Sequence, residues 1–245
     1  MLAVLQEVFA KFGIDFYLVG AVARDINLSA NEELASTRRT NDVDLAITIN
    51  DQGQYNQIKS ELVSTGLFEP HKSEAIKLFY KGAIEVDLLP FGEIEEPNRN
   101  VRLTDPTFVL NMPGFAEIYP FVRDVELPDG KRIKVCSMEG IILLKLIAND
   151  DRPQRTKDIS DIEHIIQSYF DLYDGDVYEN DFDVMDMYNT NERDYKQLVC
   201  ARVIGRKMRL MLAGSPELLQ RIASILVKRP TPRWLAMLDG LNEVI

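Results

Sequence analysis

The sequence predicts an α/β (α+β) protein with an α/β N-terminal half and a helical C-terminal half. In the first half, short apolar runs typical of strands alternate with segments of helical spacing. In the last third, the apolar pattern predicts only helices. We therefore place one domain over residues 1–136 and a second, mainly helical domain over residues 137–245 of this chain.

The first elements are a helix, a strand and a second helix. Apolar residues at helical spacing predict a helix over residues 2–12, which Gly13 ends. Residues 16–19 form a short apolar strand, Gly20 follows it, and residues 22–26 begin the second helix. A strand, a glycine and a helix start in this order present backbone N–H groups to an anion.

The remaining elements of the first half follow from alternation and turn residues. A polar loop over 29–41 leads to a strand that begins at Asp42, and a helix follows from Asn50 to about Ser64. Two strands are predicted at 75–81 and 83–89, and Pro90 ends the second of them. After an irregular stretch over 92–118, strands at about 121–126 and 131–136 flank the turn Pro128-Asp129-Gly130.

The second half contains helices joined by polar segments. Ser137 caps an apolar helix that extends to about Ala148, and further helices are predicted at about 156–169, 191–213, 215–228 and 232–243. Residues 171–194 carry nine acidic side chains against one arginine, which predicts a linker or an exposed loop.

Three carboxylates are the candidate catalytic residues. Asp42 and Asp44 are two residues apart on one predicted strand, so their side chains share a face. Asp87 lies on a later strand that we expect beside it, and Glu85 on the same face is a competing candidate. Grouped carboxylates suit Mg²⁺, with Mn²⁺ as an alternative ion, held together with the phosphates of an NTP. The alternative is a solvated strand end without chemistry.

Such a group suits nucleotidyl transfer, in which divalent ions align the attacking oxygen with the α-phosphate. The aspartate pair would bind metal and triphosphate, and Asp87 would hold a second metal and polarise the acceptor hydroxyl. Gly20 would let the backbone approach the phosphates. The basic residues that could neutralise the remaining phosphate charge are Arg38, Arg39, Lys145 and Lys157.

Composition limits the partners and the location. The net charge of −11 does not indicate a nucleic-acid-binding surface overall, although Arg202, Arg206, Lys207 and Arg209 form either a solvated helix face or an RNA contact. Cys136 and Cys200 have apolar neighbours and are expected to be reduced core residues. The sequence shows no signal peptide and no membrane span, so we expect a cytoplasmic protein without membrane contact.

The segments Val19-Gly20-Ala21-Val22-Ala23-Arg24-Asp25, Arg38-Arg39-Thr40-Asn41-Asp42-Val43-Asp44-Leu45 and Glu85-Val86-Asp87 together resemble the nucleotidyltransferase superfamily of polymerase-β-like and CCA-adding enzymes. The resemblance covers about residues 16–90. It implies a mixed sheet flanked by helices, with Mg²⁺ and NTP held by Gly20, Asp42, Asp44 and Asp87. Ala21 replaces the serine or glycine usual there, and the basic motif of CCA-adding enzymes is missing.

A second resemblance concerns Lys145-Leu146-Ile147-Ala148 and Arg155-Thr156-Lys157-Asp158-Ile159-Ser160-Asp161-Ile162, which are similar to a segment of AbiEii/AbiGii-type nucleotidyltransferase toxins. It implies that Lys145, and Asp158 or Asp161, contribute to an active site completed by the helical domain. Ala21, Arg24, Arg39 and Lys157 are further nucleotide-binding candidates. Arg24 also has a structural alternative as a helix-surface ion pair with Asp25.

The function predicted from these patterns is Mg²⁺-dependent transfer of NMP from an NTP. The toxin family suggests a tRNA end or a protein as acceptor and a cognate antitoxin as partner. Two alternatives stay open: modification of a small molecule such as an antibiotic hydroxyl, which the acidic composition favours, and a degenerate nucleotide-binding module without turnover.

Overall fold

The computed structural model describes residues 1–29, 42–127 and 130–243. These residues fall into two compact units, one containing residues 1–26 together with those described between 42 and 136, the other residues 27–29 and 137–243. The predicted loop over 29–41 and the predicted turn at Pro128 and Asp129 therefore lie almost wholly outside the described residues.

The elements of the first half follow in chain order. They are α1 (Leu2–Lys11), β1 (Phe16–Val19), α2 (Gly20–Leu28), β2 (Asp42–Thr48), α3 (Gln52–Ser64), β3 (Phe68–Pro70), β4 (Lys77–Tyr80), β5 (Ile84–Phe91), β6 (Asn100–Thr104), β7 (Thr107–Asn111), α4 (Phe115–Ile118), β8 (Arg123–Glu126) and β9 (Arg132–Val135).

Seven of these strands form one mixed sheet in the order β3-β4-β5-β2-β1-β9-β8. The central strand β2 runs parallel to β5 and antiparallel to β1, and β1 runs parallel to β9. Leu45, Ala46 and Ile47 of β2 are fully buried, as the apolar run predicts. The mixed sheet with helices, followed by a helical half, confirms the predicted fold class.

The helical half has six helices in its described residues. They are α5 (Met138–Asp151), α6 (Thr156–Asn180), α7 (Phe182–Met185), α8 (Tyr195–Met211), α9 (Pro216–Val227) and α10 (Pro232–Asn242). The Ser137 side chain accepts a hydrogen bond from the Gly140 N–H and caps α5, as predicted. Both cysteines are buried free thiols. Among the described helices, none is long and apolar enough to cross a membrane.

Two predictions in the first half were wrong. The stretch 92–118 is not irregular, because β6 and β7 pair there antiparallel and α4 follows. Val101 and Leu103 alternate inward in this hairpin and are completely buried. Pro90 also does not end its strand, since β5 continues to Phe91. The missing N–H of Pro90 is tolerated because β4 has no residue paired opposite it.

The acidic stretch 171–194 was predicted as a linker or exposed loop, but more than half of it is helical. Helix α6 continues to Asn180, with a residue of non-helical backbone angles at Tyr173, and α7 follows. Val177 and Val184 are buried in this stretch. Several of its carboxylates form ion pairs with arginine and lysine of α8, which local composition does not reveal.

Candidate active site

The neighbouring strands β2 and β5 bring four carboxylates to one face of the sheet. Their parallel register pairs Asp44 with Asp87 and Asp42 with Glu85. Residues two apart on a strand share a face, and adjacent strands lie about 4.8 Å apart. All four side chains therefore crowd into one small area.

Gly20 adjoins this group at the end of β1, where α2 begins. Val19 pairs with Asp44, and the Gly20 backbone is left-handed with φ of +67°. A Cβ added to Gly20 would lie 2.1 Å from Oδ2 of Asp44. Position 20 thus requires glycine for two reasons. The backbone there is left-handed, and the Asp44 carboxylate occupies the space that a side chain would need. The sequence predicted room for phosphates at this position, and the structure adds a different reason for the glycine.

The surroundings of Asp87 oppose its negative charge. Its Oδ1 atom is buried and accepts no hydrogen bond within the described structure. Burial raises the pKa of Asp87, Lys77 opposes that shift, and the carboxylates of Glu74, Glu85 and Asp42 raise the pKa further. A buried acceptor without a donor, among other negative charges, is costly unless a cation completes it.

Lys77 is a residue of this face that sequence reasoning missed. The antiparallel register of β4 and β5 pairs Lys77 with Asp87, and its Nζ lies 2.6 Å from Oε2 of Glu85. The hydrogen bond to Glu85 is the main reason that the pKa of Lys77 is raised. The signal was available, because the predicted strands 75–81 and 83–89 are separated by Gly82 alone, and a hairpin register centred on Gly82 pairs Lys77 with Asp87.

The donor set fits a divalent ion shared with substrate. Carboxylate oxygens are the ligands that Mg²⁺ and Mn²⁺ prefer, and the orphaned Oδ1 of Asp87 is an acceptor of this kind. In the described parts of the chain, no three acidic, histidine or cysteine side chains are arranged to enclose an ion on their own. Mg²⁺ typically takes one or two carboxylates and completes its shell with water and phosphate oxygens, so an ion at this face would need the phosphates of a substrate.

The other nucleotide-binding candidates of the first half are placed as follows. Ala21 is the second residue of α2 and is half-buried. The Nε and Nη2 atoms of Arg24 donate to Oδ1 of Asp25 at 3.0 and 2.9 Å, so the ion pair named as its structural alternative forms. Arg38 and Arg39 lie outside the described residues.

The candidates of the helical half form a second cluster. Lys145 on α5 donates to Oδ2 of Asp161 at 2.6 Å and to Oδ1 of Asp158 at 3.3 Å, both on α6. Arg155 donates to the other oxygen of Asp158 at 2.8 Å. The Asp158 side chain is only 3% exposed, so these two cations compensate a buried charge. Lys157 is exposed.

Replacing Lys145 by methionine should destabilise the helical half by about 1–3 kcal/mol, because among the described residues Asp158 would keep only Arg155 as a charged partner. Urea unfolding measures this loss. The matched control is Lys228→Met, whose ion pair with Asp150 is exposed and should contribute well below about 1 kcal/mol. Equal stability of the two variants would contradict the structural role of Lys145. A further loss of turnover per folded molecule would support its predicted catalytic role.

Replacing Asp87 by asparagine should stabilise the protein near neutral pH. Because the folded-state pKa is raised above 3.8, ionisation of Asp87 costs the folded protein free energy at every pH above that raised value. The advantage of asparagine should shrink as the pH falls through the folded-state pKa towards 3.8. Thermal unfolding across this range measures it, with the exposed Asp124→Asn as control. A destabilised variant at neutral pH would contradict the crowding described here.

Two of the solved structures that are similar to this chain are of the antibiotic-resistance factor ANT(2'')-Ia. The solution structure of that factor is 13% identical, with 86% of this chain and 92% of that chain covered and a TM-score of 0.42. Its crystal structure in complex with adenylyl-2''-tobramycin is 14% identical, with 67% and 85% covered and a TM-score of 0.41.

The third similar structure is an antigenic nucleotidyltransferase-like protein from Paracoccidioides brasiliensis. It is 16% identical, with 86% of this chain and 88% of that chain covered and a TM-score of 0.39. No family model and no curated protein matches the chain. At this level of similarity, any assignment of function depends on the carboxylate face itself.

Proposed function

We propose that this protein is a metal-dependent nucleotidyltransferase that transfers NMP from an NTP to an acceptor hydroxyl. One observation carries the proposal: Asp44 and Asp87 lie side by side on parallel strands, with Asp44 against Gly20 and a buried Asp87 oxygen that has no donor among the described residues. A purely structural pair of strands gains nothing from this crowding of charge. Crowded carboxylates of this kind recur where a cation is bound.

Asp42, Asp44 and Asp87 would hold Mg²⁺ or Mn²⁺ at this face. The bound ion would supply charge neutralisation at the phosphates and at the oxygens that attack and leave. The N-terminus of α2 begins at Gly20, beside Asp44. The positive end of its helix dipole would attract the phosphates of a bound NTP.

Asp87 and Gly20 would have the remaining roles in the reaction. The Asp87 carboxylate would accept a hydrogen bond from the acceptor hydroxyl and orient the hydroxyl oxygen towards the α-phosphorus. The hydroxyl proton would pass to the Asp87 carboxylate as the new bond joins that oxygen to the α-phosphorus. The bond from the α-phosphorus to the bridging oxygen would break and release pyrophosphate. Gly20 keeps Asp44 in place because no side chain competes for its position.

The acceptor can be an RNA or protein, as for an AbiEii-type toxin with its antitoxin, or a small molecule. One observation favours the small molecule. Arg206 of α8 contacts Asp183 at 2.5 Å and Asp181 at 3.3 Å, Arg202 contacts Glu243 at 2.5 Å, and Lys207 pairs with Asp176. The basic run that was a candidate RNA contact is thus largely neutralised, in a chain with net charge −11.

An acceptor screen tests this function. Purified protein with Mg²⁺ or Mn²⁺ receives each α-labelled NTP in turn, together with total tRNA, a protein mixture, a set of hydroxylated small molecules or no acceptor. We expect label to move to one class of acceptor with the wild type and not with the Asp42→Asn/Asp44→Asn variant. Tight NTP binding without label transfer to any acceptor would favour a degenerate binding module.

A further inference from the structure

Three adjacent strands place one positive and two negative side chains in a row. Lys77 of β4 pairs with Asp87 of β5, and Asp87 pairs with Asp44 of β2. Directly opposite residues in antiparallel strands have Cβ atoms about 4.5–5.5 Å apart. The Lys77 side chain is only 17% exposed, and its ammonium group contacts Glu85 of the same face.

We propose that Lys77 is an internal counter-ion of the carboxylate face, one that stabilises the metal-free protein and opposes metal binding. Lys77 is a positioning residue here, because it acts through the carboxylates. The inference rests on the proposed function, since it concerns the divalent ion that the site would hold.

The contacts of Lys77 explain why its charge would both stabilise the metal-free protein and oppose metal binding. It lies 2.6 Å from Glu85 and 3.8 Å from Glu74, whose side chains are 42% and 40% exposed. Without this ammonium group, Glu74, Glu85, Asp87 and Asp42 would repel one another around a half-buried centre. A divalent ion at Asp87 relieves the same repulsion, but it must also approach the fixed positive charge of Lys77.

The test is direct binding of Mn²⁺ alone. Binding is measured by the loss of the electron paramagnetic resonance signal of the free ion. We expect Lys77→Met to bind Mn²⁺ about tenfold more tightly than the wild type, because a positive charge that interacts electrostatically with Asp87 is removed. Glu85→Gln should bind more weakly than the wild type, since it removes a negative charge and frees Lys77 to lie on Asp87.

The matched control is Lys11→Met. Lys11 forms an exposed ion pair with Glu61 at 2.5 Å and precedes β1, whereas Gly20 follows that strand. This variant should bind Mn²⁺ as the wild type does. Thermal unfolding of each variant with and without Mn²⁺ gives a second readout, and Lys77→Met should show the lowest stability without metal and the largest gain with it.

The outcomes separate this inference from the proposed function. Mn²⁺ binding that Asp44→Asn abolishes, but that Lys77→Met leaves unchanged or weakens, would overturn the role of Lys77 and leave the metal site standing. No Mn²⁺ binding by the wild type would overturn the metal site and the inference together.

Discussion

Replacing Asp44 by asparagine should lower the rate of nucleotidyl transfer on the order of 1,000-fold. The metal contributes several kcal/mol of charge stabilisation, and each ~1.4 kcal/mol corresponds to a factor of ten in rate. Asparagine keeps the shape that fits against Gly20 but removes the charge that would bind the ion. The loss should appear in kcat, measured with α-labelled NTP at saturating metal.

The control for this variant is Asp124→Asn on the edge strand β8, where the carboxylate is exposed. We expect it to retain wild-type turnover. If Asp44→Asn is folded and also turns over within about threefold of the wild type, Asp44 is not a metal ligand, since losing a ligand's contribution costs far more.

Replacing Gly20 by alanine should abolish transfer and destabilise the protein as well. The left-handed backbone at φ +67° costs an alanine about 1–2 kcal/mol. The new Cβ would also meet Oδ2 of Asp44 at 2.1 Å, which forces the carboxylate out of its position. Chemical denaturation measures the loss of stability, and label transfer measures the loss of activity.

Two further variants separate the causes of this destabilisation. Gly13 has a similar φ of +64° with no atom within 4 Å of an added Cβ, so Gly13→Ala isolates the backbone cost and should keep full activity. The double variant Gly20→Ala/Asp44→Ala should regain the stability lost to the clash, but no turnover. A double variant as unstable as Gly20→Ala would contradict the contact between these residues.

Local sequence patterns were sufficient for the central strands. The apolar run from Val43 to Ile49 and the alternation around Asp87 give β2 and β5 directly, because a strand buried on one or both faces must show them. Two carboxylates at i and i+2 then share a face by geometry alone. The candidate acidic residues could therefore be named without a structure.

What the sequence did not predict depends on partners distant in the chain. Lys77 acquires its place only when the hairpin register pairs it with Asp87, and Gly20 acquires its second role only when β1 pairs with β2. Helix α6 extends past residue 169 because Lys207, 31 residues from Asp176, compensates an acidic segment that in isolation predicts exposure.

The most direct test of the central claim compares NTP labelled at the α-phosphate with the same NTP labelled at the γ-phosphate. In a single turnover with the acceptor found by screening, the α label should move to the acceptor. The γ label should leave as pyrophosphate, and neither should move with Asp44→Asn. Transfer of the γ label to the acceptor would show phosphoryl rather than nucleotidyl transfer, and transfer that survives in Asp44→Asn would show that the carboxylate face is not the active site.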